Sequence, residues 1–228
     1  MVLSQRLLAA ASMVPVCECA ADVGCDHGYI PIYLTENGIC QHAIAMDLRV
    51  GPLDRCRENV NLSGLQDKID IRLSDGLEQI MPGEASAITI LGMGGIVMQS
   101  IIENKMEVAK AATLVLGPQS QVGDFRRFLY KSGFVITDEK FVVEDDKNYS
   151  LMKAEYRPDE AALSQLSDVQ YEYGPVLLKK KDLVFVEYLQ HRLTKLTAII
   201  QGISGDSDNK NKLKQELINI ERALNEAF

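Results

Sequence analysis

The sequence predicts an α/β fold: a mostly parallel sheet with antiparallel strands at one edge, followed by a C-terminal helical hairpin. Three observations lead there. Short apolar runs alternate with helical segments from residue 17 to residue 131, the pattern of βαβ units. Four of those runs close on glycines or carboxylates, at Asp22-Val23-Gly24, Asp47, Asp75-Gly76 and Gly92-Met93-Gly94-Gly95. After Arg157-Pro158 the alternation stops and helical periodicity takes over.

Taken in order, Leu3, Leu7, Leu8, Ala10 and Ala11 give residues 3–13 an amphipathic helical spacing that stops near Pro15. Strands are expected at 17–23, 43–47, 69–73, 87–91 and 113–116. Helices are expected at 29–37, 52–63, 96–104 and 122–131, with Gly38, Gly64 and Gly133 as stops. Residues 134–144 and 149–156 read as two strands joined at Asp145-Asp146-Lys147-Asn148, and a tight turn makes them antiparallel. Beyond 158, Leu177, Leu178, Val184, Leu189, Leu193, Leu196 and Ile200 form one helical stripe. Leu213, Leu217, Ile220 and Leu224 form another, and a polar loop over 202–209 separates the two. The expected domains are therefore 1–157 and 158–228.

Composition narrows the classes. With 228 residues, 46% of them apolar and 25% charged, the chain has material for one α/β domain and a smaller appendage. No apolar run reaches the roughly 18 residues a membrane span needs, and the opening lacks a secretory pattern. The five cysteines lie in the first quarter on apolar segments, which fits reduced thiols in a cytoplasmic protein. A metal site from Cys17, Cys19, Cys25 and His27 is disfavoured, because C-x-C lacks zinc-knuckle spacing and sits in a strand pattern. A net charge of −8 argues against bulk attraction to nucleic acid. The basic clusters are local: Arg126-Arg127 with Lys131, and Lys179-Lys180-Lys181 with Arg192 and Lys195.

Ligands of open α/β sheets bind outside the carboxyl ends of the strands. The first ending, Asp22-Val23-Gly24-Cys25-Asp26-His27-Gly28, follows a strand and opens a helix, as a nucleotide-binding loop does. Its spacing is G-x-D-x-G rather than the G-x-G-x-x-G of dinucleotide enzymes. Asp26 puts a carboxylate where a pyrophosphate would otherwise sit on the helix N-terminus. S-adenosylmethionine carries a sulfonium and an ammonium group and no phosphate, so it suits this loop. Asp47 stands where a carboxylate receives a ribose hydroxyl pair. Asp75 is placed to accept an adenine amine, with Gly76 leaving room, and Gly92-Met93-Gly94 forms the base of the crevice.

Asp22 to Pro31, Gly92 to Gly95, and Asp138-Glu139 with Tyr149 together resemble the bacterial tRNA (adenine(22)-N1)-methyltransferase family, TrmK. Leu3-Ser4-Gln5-Arg6-Leu7 is similar too. The resemblance implies a Rossmann-like class I methyltransferase that uses S-adenosylmethionine to methylate N1 of a tRNA adenine. It implies cofactor contacts from Asp22, Gly24, Asp26, His27, Gly28, Asp47, Leu48, Asn59, Asp75, Gly76, Gly92, Met93 and Gly94. Asp26 and Tyr29 are the candidate catalytic residues. Tyr29 would stack on a base that must leave its helix to expose N1, and Asp26 would either face the charge that develops or hold the methionine ammonium. Substrate contacts are expected from Tyr29, Arg6, Lys179, Lys180 and Lys181. One departure stands out: the family shows Leu-Gln-Pro after the fifth strand, and this chain has Leu116-Gly117-Pro118-Gln119. Two other readings compete, a methyltransferase of this fold acting on a small molecule or protein, and a non-catalytic RNA-binding protein.

Overall fold

A computed structural model describes residues 3–203 and 207–227. It contains β1 (Cys17–Val23), β2 (Cys40–Asp47), β3 (Ile69–Leu73), β4 (Ala87–Leu91), β5 (Thr113–Gly117), β6 (Phe134–Glu144) and β7 (Lys147–Tyr156). The helices are α1 (Gln5–Ala11), α2 (Tyr29–Glu36), α3 (Val50–Leu62), α4 (Gly95–Asn104), α5 (Met106–Lys110), α6 (Val122–Lys131) and α7 (Pro158–Leu163). Four more follow: α8 (Asp168–Tyr173), α9 (Pro175–Lys180), α10 (Leu183–Gly202) and α11 (Asp208–Ala227). Residues 204–206 of the expected polar loop, and Phe228 of the expected last helix, lie outside the described residues.

The seven strands form one sheet in the order β3-β2-β1-β4-β5-β7-β6. The first five are parallel, and β7 joins β5 and β6 antiparallel. The mostly parallel sheet with an antiparallel edge is thus what the sequence predicts. Central strands are buried on both faces and read as unbroken apolar runs, such as Leu114, Val115 and Leu116 of β5. The strand order reverses direction between β1 and β4, so a crevice opens there at their carboxyl ends.

The antiparallel edge brings a second feature to that same side. Because β7 runs against β5, with Leu116 opposite Met152, the start of β7 lies at the carboxyl end of β5. Glu144 pairs with Lys147, which leaves the two-residue turn Asp145-Asp146, with φ of 49° and 58°. That is the backbone of a type I′ hairpin turn, whose twist matches the flanking strands. On the outer side of the edge, Arg126 of α6 donates to Glu139 of β6 at 2.8 Å, both side chains fully buried.

The chain divides into two compact units, residues 1–164 and 165–228. The composition change at Arg157-Pro158 therefore falls one short helix before this division: α7 packs on β6 and α6 and stays with the first unit. In the second unit α10 and α11 pack side by side, with Leu196, Ile220 and Ala223 buried and Arg192 bonded to Glu216. The expected first helix of this hairpin is in fact two. Lys181 takes a left-handed conformation that ends α9, and the Asp182 carboxylate accepts from the Phe185 amide to start α10. Both α8 and α9 pack on α11, so the hairpin carries two short helices against it.

Candidate active site

A cavity of about 970 Å³ opens at the carboxyl edge of the sheet, entirely within the first unit. Its walls come from the loops after β1, β2, β3 and β4, from α1 and α4, from the β5–α6 connection and from the β6–β7 turn. The sequence-predicted residues Asp22, Gly24, Asp26, His27, Tyr29, Asp47, Leu48, Asp75, Gly76, Gly92, Met93 and Arg6 all line it.

The loop after β1 is shaped by its glycines. Gly24 has φ +75°, and a Cβ there would collide with Met93 Cε. Gly28 has φ +73° and caps α2, where a Cβ would lie 2.5 Å from Cys56 Sγ. Only glycine meets both conditions without strain. Three predicted residues stand behind the wall rather than in it. Gly28 is one; Asn59 is the second, donating from Nδ2 to the His27 carbonyl at 2.9 Å. The third, Gly94, caps α4, with Ser120 Oγ 2.9 Å from where a Cβ would be. Lys179, Lys180 and Lys181 belong to the end of α9 in the second unit.

Asp22 and Thr89 face one another in the β1–β4 register, and the Thr89 hydroxyl donates to the Asp22 carboxylate. Burial, with a smaller push from the Asp47 charge, raises the Asp22 pKa to about 7, while the Thr89 hydrogen bond opposes the rise. Asp47 is also buried, and its Oδ1 accepts from the Arg49 amide at 2.9 Å. After β3, Ser74 Oγ donates to the Gly76 carbonyl and accepts from the Gln79 amide, which fixes the turn that carries Asp75. A Cβ on Gly76 would press at 3.0 Å on Ile101 of α4, so the ring-sized gap beside Asp75 depends on that glycine.

Asp26 sits at φ 45°, a left-handed position for a side-chain-bearing residue. Its Oδ1 accepts from Arg55 Nη2 at 2.8 Å, and its Oδ2 lies 3.5 Å from His27 Nε2. The His27 ring stacks on Tyr29 with centroids 5.1 Å apart and planes 10° from parallel. Tyr29 remains 38% exposed and opens α2. Cys25, also in this wall, hydrogen-bonds to Cys56, which with burial holds its thiol well above the ordinary range. A protonated thiol is no nucleophile.

Several lining residues were not predicted: Ser4, Val97 and Ile101 among them, and above all Gln119, Glu144 and Tyr149. Gln119 is the displaced glutamine of the fifth strand's ending; its amide donates to the Met93 carbonyl at 2.9 Å, which turns it into the cavity. Glu144 and Tyr149 arrive through the antiparallel pairing of β7, a long-range register that no local pattern contains. The signal available was the tight turn itself, once the hairpin is placed beside β5. Arg6 closes this side: its backbone amide donates to Glu144 Oε1 at 3.3 Å, and its guanidinium lies 5.0 Å over the Tyr149 ring.

A family profile described as tRNA (adenine(22)-N(1))-methyltransferase matches residues 20–226. A Bacillus subtilis (strain 168) protein named tRNA (adenine(22)-N(1))-methyltransferase is 37% identical over 218 residues, spanning 93% of this chain and 92% of that one. Among solved structures, that of the B. subtilis M1A22 tRNA methyltransferase TrmK superposes with a TM-score of 0.82 at 32% identity, covering 98% of this chain and 99% of that one. The structure of M. capricolum TrmK in complex with the natural cofactor product S-adenosyl-homocysteine gives 0.83 at 25% identity, covering 100% of both chains.

Proposed function

Because the chain belongs to the tRNA (adenine(22)-N(1))-methyltransferase family, we propose how its own residues serve methyl transfer from S-adenosylmethionine to N1 of adenine 22 in tRNA. The observation that carries the reading is the cavity at the β1–β4 reversal, lined by the carboxylates of Asp22, Asp47 and Asp75 and by glycines whose missing Cβ atoms keep it open. Such a lining repels a pyrophosphate and suits a ligand with two cationic centres and a ribose.

In this reading Asp47 receives the ribose hydroxyls with the carboxylate oxygen that its bond to the Arg49 amide leaves over. The Asp75 carboxylate makes no hydrogen bond or ion pair among the described residues, and it takes the adenine amine in the gap beside Gly76. Asp22 faces the amino-acid end of the cofactor, where a cation would draw its carboxyl to the ionised form. Met93 packs against Gly24 and sets the floor.

When bound, S-adenosylmethionine supplies a sulfonium-activated methyl group, which the in-plane lone pair of adenine N1 takes with no proton to remove. No general base is needed, and the residues act by positioning, an effect worth up to about 7–11 kcal/mol. The methylated ring is a cation, so carboxylates fixed around the cavity lower the barrier. Asp26 has its charge engaged by Arg55 at 2.8 Å, and we assign it to holding the loop with Arg55 and His27 while contributing to that field. Tyr29, with His27 behind it, is the flat surface for the displaced adenine.

Among the described residues no helix is long and apolar enough to cross a membrane. The tRNA substrate supports a cytoplasmic setting. The test is incubation with labelled S-adenosylmethionine and tRNA transcripts bearing adenine or guanine at position 22, followed by nucleoside mass spectrometry. Label in N1-methyladenosine from the adenine transcript alone is expected; equal labelling of both transcripts, or of neither, overturns the reading.

A further inference from the structure

We infer that the cavity has two halves and that Arg6, held flat by Tyr149, grips the phosphate of the target nucleotide in the second of them; this rests on the methyl-transfer reading above. In the sheet order, Asp22 and Asp47 lie at the carboxyl ends of β1 and β2, and Asp75 follows β3, all on one side of the reversal. Gln119 follows β5 and Tyr149 starts β7, on the other side, with Gly92 and Met93 after β4 between them. The cofactor's carboxylates therefore occupy one half of the cavity, and the other half is lined by different chemistry.

That chemistry is an unspent cation. The Arg6 guanidinium makes no hydrogen bond or ion pair among the described residues, and its Nε is buried without an acceptor. Glu144 is close, but it accepts from the Arg6 backbone amide, not from the guanidinium. Buried donors in folded proteins are almost always paired, so an orphan at a cavity wall points to an acceptor that arrives with a ligand. Nη1 of Arg6 reaches to 3.9 Å from the open position over Gly92, at the centre of the cavity floor.

The sign of the reaction selects the acceptor. Methylation leaves the adenine ring cationic, and a guanidinium on the ring edge would oppose that charge. A phosphate is the other acceptor a nucleotide offers, and it matches the planar fork of arginine with two parallel bonds. Tyr149 lies under the guanidinium at 5.0 Å and fixes its plane, which makes it a positioning residue.

The experiment compares adenosine 5′-monophosphate with adenosine as inhibitors of tRNA methylation by the full chain, in wild type and in Arg6→Gln and Arg6→Lys. Wild type is expected to favour the monophosphate about tenfold; Arg6→Gln should lose the preference, and Arg6→Lys, which keeps the charge without the fork, should keep part of it. The KM for tRNA should rise about tenfold in Arg6→Gln while the calorimetric affinity for S-adenosylhomocysteine stays within twofold, which also shows the variant folded. Tyr149→Phe should behave as wild type, and Tyr149→Ala as a weaker copy of Arg6→Gln. No preference in wild type, or a preference that survives Arg6→Gln, overturns the inference alone. A wild-type protein that binds no S-adenosylhomocysteine or methylates no tRNA overturns the methyl-transfer reading instead.

Discussion

Thr89 Oγ1 lies 2.5 Å from Oδ1 of Asp22, its register partner across the two strands where the sheet reverses order. The hydroxyl is the one group that offsets a carboxyl driven up by burial and by Asp47. It couples the protonation of the site to the spine of the sheet.

The first prediction follows from that coupling. Asp22 is raised from 3.8 to about 7, so between those values the folded chain holds a proton that the unfolded chain has released. Its contribution to stability is full below about pH 4 and lost as pH rises through about 7. Thermal melts of the unliganded protein should show that loss in wild type relative to Asp22→Asn. A cationic ligand prefers the ionised carboxylate, so S-adenosylhomocysteine affinity should rise between pH 6 and 8, by at most about tenfold per unit below 7. Thr89→Val should move both profiles to higher pH. Profiles that are superimposable in all three proteins would remove Asp22 from the site.

Asp47→Ala should weaken S-adenosylhomocysteine binding by about 1.5–3 kcal/mol, the range for hydrogen bonds to a charged acceptor. Asp47→Asn should recover part of it. Calorimetry on variants with native-like melting decides the point, and unchanged affinity would take the ribose away from Asp47.

Tyr29→Ala should depress methylation by the equivalent of about 1–3 kcal/mol of lost base stacking, with cofactor affinity nearly intact. Because the ring and not the hydroxyl does the stacking, Tyr29→Phe should keep most activity. A Phe variant as slow as Ala would point to the hydroxyl instead.

For the second unit, replacing Lys179, Lys180 and Lys181 by alanine should weaken tRNA binding and flatten its salt dependence. Each lost phosphate contact lowers the slope of log affinity against log salt by about 0.7–0.9. Arg192 is left in place, since its 2.7 Å ion pair with Glu216 ties α10 to α11. Salt-titrated binding that matches wild type would leave these lysines a solvated face.

Arg126→Met should cost about 3–5 kcal/mol of stability, because it removes a charged partner from the fully buried Glu139. Denaturant unfolding measures this directly, and a loss under about 1 kcal/mol would show that Glu139 finds another partner or a proton.

Local patterns made much of the fold legible. β1, β3, β4 and α6 run over the ranges the sequence predicts, since each is an apolar run or amphipathic segment closed by a glycine or carboxylate. The start of β2 was not legible: Cys40, Gln41 and His42 lack alternation and enter the strand because Cys17 pairs with Cys40. The break at Lys181 hid inside a continuous leucine stripe, where helical spacing carries across a one-residue left-handed stop. In the site, residues at strand ends were legible as neighbours because parallel strands bring their ends together by construction. Asn59 and Gly94 read as wall residues but brace it from behind, a difference of depth that spacing does not encode. Gln119, Glu144 and Tyr149 depend on which strand the final hairpin joins.

The Asp145-Asp146 turn reaches the cavity through Asp145, from the end of a hairpin whose two strands pair with one another along their whole length and whose β7 also pairs with β5. None of the hydrogen bonds between the five parallel strands runs through it. The turn can therefore be lengthened, shortened or reversed in charge while the cofactor half keeps its shape, as loops on a rigid scaffold allow. Asp-Asp is a poor choice for two consecutive left-handed positions, and Asn-Gly would hold the turn better. A change in this turn therefore alters one wall of the cavity and leaves the register of the parallel strands as it is.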